Sequence, residues 1–216
     1  MDISWITPSA GTQRRIRWRK TRRPSSTPVW KSAGQDGKAP KPGIPEQIGT
    51  TDFADRQAVL KRLDLAQKET AGLDHEVNYS VTTDGIVWRV SGETGTVDPS
   101  DIPSSLAGSY SFHNHPKAKT WFSFSAADVR FFFQSGEQYA KAADHLYEYI
   151  MERTKETVDI DPDAVYHRFK EIFDKEVKKL AWFEEIDIDV DGFHETMKRL
   201  SKEVGIYYER RKTEAP

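Results

Sequence analysis

The run Ser111-Phe-His-Asn-His-Pro116, with Ser125-Ala-Ala-Asp128 a short way downstream, narrows the possible folds more than any other part of this chain. Side chains on a strand alternate between faces, so His113 and His115 share one face with Ser111, while Tyr110, Phe112 and Asn114 take the other. Two of that second set are apolar and suit a core. Pro116 cannot donate to a sheet ladder and ends the strand. Ser125 is a favoured N-cap, which puts Asp128 at the third position of a helix. The expectation is a strand end and a helix start that meet, bringing two imidazoles and a carboxylate together. Two His, one Asp and a water make a catalytic zinc ligand set.

The flanking pattern predicts a mixed α/β (α+β) domain. Thr51 is expected to open an amphipathic helix ending near Gly72, with Phe53, Val59, Leu60 and Leu63 facing a sheet. Glu76 to Val90 reads as a hairpin, with Val77, Tyr79 and Val81 alternating against Glu76, Asn78 and Ser80 and Asp84-Gly85 as the turn. Val97 to Gly108 is expected to be a loop. A short helix runs from Asp128 through Phe133 to a stop at Gly136, and Leu146 to Arg153 alternates as a strand. Asp161-Pro162 signals a helix start, followed by the apolar stripe Val165, Phe169, Ile172, Phe173, Val177 and Leu180. A last helix is expected near Gly192 to Val204, then an edge strand at Ile206 to Tyr208.

Residues 1–49 differ in composition and read as a basic, proline-rich arm and linker ahead of a domain at 50–211, with 212–216 as a tail. Residues 1–49 hold six of the eleven prolines. Ten Lys or Arg stand there against Asp2, Asp36 and Glu46, a net of +7; with −2 for the whole chain, the rest carries −9. Arg14 to Arg23 is basic with Trp18 inserted, a composition able to grip nucleic acid or an acidic protein surface, or to remain a solvated arm. The chain has no cysteine, so any transition-metal ligand must be His, Asp or Glu. No apolar run is long enough to span a membrane, and the N-terminus lacks a signal peptide's apolar core. The expectation is therefore a soluble protein, cytoplasmic or virion-associated.

His-x-His-Pro followed by Ser-x-x-Asp resembles the JAMM motif of the JAB/MPN metallopeptidase family. The resemblance implies a mixed sheet flanked by helices, with Zn2+ held by His113, His115 and Asp128. It implies that Ser125 hydrogen-bonds the reacting carbonyl and that a Glu on an earlier strand is the general base. Glu76 holds that position; Glu93, among Ser91, Gly92 and Gly95, is the rival. A base should sit on a rigid element, which favours Glu76. The spacer Lys117 to Phe124 is about two residues longer than the family's usual one. Over about residues 70–210, the phrase from Glu76 through Asp84-Gly85 to the His strand looks like JAB-like domains of phage minor capsid or head-morphogenesis proteins. The implied reaction is hydrolysis of a peptide or isopeptide bond in a protein or peptide substrate, in a setting with phage structural proteins as partners.

Two imitations are dismissed. Asp187-Ile-Asp-Val-Asp-Gly192 begins like a calcium loop, but its twelfth position is Lys198, where a bidentate Glu is needed; its alternation suggests an acidic strand or extended turn. His194-Glu195 lacks the second histidine of a zinc helix, because Lys198 stands there. His75, His145 and His167 have no ligand-like spacing. Three functional classes remain: a zinc metallopeptidase, a phage-type assembly protein using the same fold as a binding module, and a nucleic-acid-associated protein acting through its arm.

Overall fold

The computed structural model describes residues 41–116, 123–183 and 185–213. The basic segment 14–23, most of the linker, spacer residues 117–122 and the last residues 214–216 lie outside the described residues. The fold is mixed α+β. One sheet has the order β1(Glu46–Thr50), β3(Ile86–Ser91), β2(Val77–Val81), β4(Tyr110–Asn114), β5(Tyr139–Ala143), β6(Tyr147–Arg153), β7(Ile206–Lys212). All neighbours are antiparallel except β4 and β5. A parallel pair needs a crossover, and α2 (Ala126–Ser135) supplies it. No helix among the described residues is long and apolar enough to cross a membrane.

The two faces of the sheet are covered differently. Helix α1 (Arg56–Thr70) packs Val59, Leu63 and Ala66 against Val77, Tyr79, Val81 and Phe112 on one face. On the other face, α2, α3 (Pro162–Ile172) and α5 (Ile188–Val204) pack Phe132, Phe169, Ile172, Met197 and Leu200 over Ala140, Ala142, Tyr149 and Met151. That second core lies over β5, β6 and β7. The same face of β2 and β4 carries Asn78, Ser80, Ser111 and His113, which are polar and outside that core. This polar half of the sheet face borders a cleft.

Several expectations need correction. The linker expected to reach Gly49 ends in β1, an edge strand that buries Ile48 and pairs with β3; Pro45 stands just before it, where a missing N–H costs no ladder bond. Helix α1 starts at Arg56 rather than Thr51. Thr51 N–H donates to Gly85 O at 2.8 Å, while Asp55 caps the helix by accepting from Gln57 N–H and Ala58 N–H. Strand β5 was not anticipated, because Tyr-Ala-Lys-Ala-Ala lacks the β-branched residues that mark strands. Asp187 to Gly192 is no strand. Asp187 caps α5, and Asp189 and Asp191 sit in its first turn, where the helix dipole favours negative charge. The α3 stripe continues through one π-turn (Phe173–Val177) into α4 (Lys178–Trp182). A Cβ on Gly192 would lie 3.0 Å from the Phe173 ring, so glycine lets α5 approach the π-turn. The Asp84-Gly85 turn, the Ser125 and Asp161 caps and the β7 edge strand stand as expected.

Candidate metal centre and its cleft

Strand β4 presents Ser111 and His113 to the cleft side, and the register sets Asn78 of β2 opposite His113. His115 lies one residue past β4, yet its N–H still donates to Ala143 O at 2.8 Å, which carries the strand geometry on to it. Ser125 and Asp128 form a capping box at the start of α2. Asp128 N–H donates to Ser125 Oγ at 3.2 Å, and Ser125 N–H donates to Asp128 Oδ2 at 2.7 Å. The cap occupies Oδ2, while Oδ1 lies 3.7 Å from His113 Nε2.

His113 Nε2 and His115 Nε2 are 3.0 Å apart, and the ligand atoms of His113, His115 and Asp128 all lie within 4.8 Å of one another. A tetrahedral zinc with bonds of about 2.0–2.2 Å separates its ligand atoms by roughly 3.3–3.6 Å. The observed separations bracket that value, so the three residues could hold a metal ion. Burial lowers the His113 pKa, against the pull of Asp128, which favours the neutral imidazole a metal requires. Among the described residues, these three are the group of His, Asp and Glu side chains close enough for such a role.

Glu76 directly precedes β2. Its N–H donates to Glu93 O at 3.1 Å and its carbonyl accepts from Gly92 N–H at 2.7 Å, so the end of the hairpin holds its backbone on both sides. Its side chain is buried on the cleft wall, and burial, followed by the negative charge of Asp128, pushes its pKa up to about 8. Glu93 is exposed, in a short bridge with Thr96, and is not part of the cleft lining. The structure thus brings Glu76, Ser125 and the three candidate ligands to one cleft of about 990 Å³. The remaining histidines stand apart: His75 bonds Asp74, His145 and His167 are exposed, and His194 bonds the Tyr208 hydroxyl at 2.9 Å.

Three features escaped the sequence reading, two of them residues that line the cleft. Asn78 follows Glu76 by two residues, so the strand period was a signal that it shares the site; Ser80 Oγ donates to its Oδ1 at 2.8 Å. Glu137, just past the α2 stop at Gly136, reaches the cleft fully buried, a position no local pattern announces. Ser123, at the end of the spacer, has φ of 129°, a strained value for a residue with a Cβ, and its hydroxyl bonds Tyr208 Oη at 2.7 Å. That bond ties the segment leading into the α2 cap to β7.

Compared with family models, with curated proteins and with solved structures, the chain matches none. The likeness to the JAB/MPN family rests on the motif residues themselves.

Proposed function

We propose that this chain is a JAMM-type zinc hydrolase of peptide or isopeptide bonds on a JAB/MPN-like sheet, acting in phage or prophage assembly. The observation that carries the reading is the convergence, in one cleft, of the His113, His115 and Asp128 ligand atoms with the buried carboxyl of Glu76. A zinc ion at the three ligands would supply the positive charge that acidifies a water and favours the ionised form of Glu76. Glu76 takes the proton of the attacking water and returns it to the leaving amine. The Ser125 Oγ accepts from Asp128 N–H, so its own proton remains to be donated to the carbonyl oxygen as negative charge develops there. The assembly role follows from the resemblance of the Glu76-to-His115 phrase to phage head proteins.

The test is Glu76→Gln, which keeps the shape of the side chain and removes the proton acceptor. Zinc should stay bound while hydrolysis of a substrate polypeptide falls by roughly two to four orders of magnitude. Glu93→Gln should leave the rate near wild type. Full activity in Glu76→Gln would refute the assignment of the base. Bound zinc without hydrolysis of any candidate phage structural protein would favour a binding module on the same fold.

A further inference from the structure

The cleft continues beyond the candidate metal ligands. The register sets Ser111, Ala140 and Met151 side by side across β4, β5 and β6, and all three line the cleft. Ala140 is small and leaves room above the sheet. Glu137, 2% exposed, lines the cleft beside this row. Among the described residues, its Oε1 has no hydrogen-bond partner. A buried polar atom left in that state costs roughly 1–3 kcal/mol and calls for an explanation. Arg153 is the cation that acts on Glu137, but its guanidinium is committed elsewhere. Nε donates to Glu137 O at 2.8 Å, Nη2 donates to Phe132 O at 3.3 Å, and the group lies 5.2 and 5.1 Å from the Phe132 and Phe133 ring centres.

The rest of the lining narrows what would meet that oxygen. Phe169 and Phe173 each contact Phe193 edge to face, at 5.5 and 5.3 Å, and form an apolar wall. Among the described residues the ionisable lining is mainly acidic, with Glu76, Asp98, Asp128, Glu137 and Asp174. The Arg and Lys side chains of that described lining are already engaged, Arg130 with Asp163 at 2.6 Å and Lys170 over the Tyr166 ring at 5.4 Å. Burial holds the Glu137 carboxyl largely protonated despite the nearby Arg153 charge, and a neutral N–H at the open oxygen would do little to favour its ionised form. A cation placed there satisfies the oxygen and draws the carboxyl into its ionised form. Lysine and arginine also bring an aliphatic stem that packs on apolar surface.

We propose that this part of the cleft is a subsite for a basic side chain, lysine or arginine, whose cation meets Glu137 Oε1 while its stem lies on the Phe169–Phe173–Phe193 wall. As a statement of substrate specificity it rests on the hydrolase reading above; as a binding site it does not.

The experiment titrates a blocked glycine-lysine-glycine tripeptide, and its counterpart with norleucine for lysine, into the full-length zinc-loaded protein, followed by calorimetry or NMR. The lysine peptide should bind at least about tenfold tighter, because the two differ only in the cation that meets a buried carboxylate. Glu137→Gln should abolish that preference and leave zinc content unchanged. Equal affinities in the wild type, no binding of the lysine peptide, or a preference that survives Glu137→Gln would each overturn the subsite. The wild-type comparison needs no variant to fold. Zinc content of the same samples tests the metal reading separately.

Discussion

Asp128 divides its carboxylate between two tasks: Oδ2 accepts from Ser125 N–H and fixes the start of α2, and Oδ1 faces His113. The pairing was legible in the sequence because it is local. A strand's two-residue period and a helix cap's three-residue spacing place His113, His115, Ser125 and Asp128 without knowledge of the remaining chain. Glu137 was not legible, because its burial depends on where β5 and α2 sit. Burial holds its pKa up at about 8, against the Ser111 hydrogen bond and Arg153 and with a smaller push from Asp128. In the unfolded chain it titrates near the ordinary 4.5. Between those values the folded state binds more protons, so this group's contribution to stability is present below about pH 4.5 and lost as pH rises through about 8. Metal-free Glu137→Gln should therefore lose less stability than wild type between pH 5 and pH 8, by about 3–4 kcal/mol at roughly 1.4 kcal/mol per pKa unit. Denaturant unfolding at both pH values measures it, and parallel losses would show that Glu137 is ionised in the native state.

At the scale of elements, hydrophobic alternation exposed the β2–β3 hairpin, and proline after Asp161 exposed α3. The pattern failed where pairing alone makes the strand. Strand β5 is held by β4 and β6 on either side, so alanines suffice there. Strand β1 has one neighbour and few apolar residues, yet it buries Ile48 and pairs Glu46 with Arg89 at 2.5 Å. A chain beginning at Thr51 should be less stable than one beginning at Lys41 by about 1–3 kcal/mol, the scale of one buried aliphatic side chain plus a strand's hydrogen bonds. Thermal unfolding of the two chains compares them, and coincident transitions would mean that β1 adds nothing to the fold.

Across the whole molecule, one sheet face is divided between a core and a chemical site. Helices α2, α3 and α5 cover the β5–β7 half with apolar contacts, and the polar side chains of β2 and β4 border the cleft. The parallel β4–β5 step lets α2 start beside the end of the His strand, so the topology itself delivers Asp128 to His113. The sequence could propose that meeting but could not display it, because it depends on the crossover. The most direct test is elemental analysis of the purified full-length protein beside a His113→Ala, His115→Ala variant. The account predicts about one zinc per chain in the wild type and almost none in the variant, as expected for a site with three protein ligands. Equal zinc in the two proteins would contradict it.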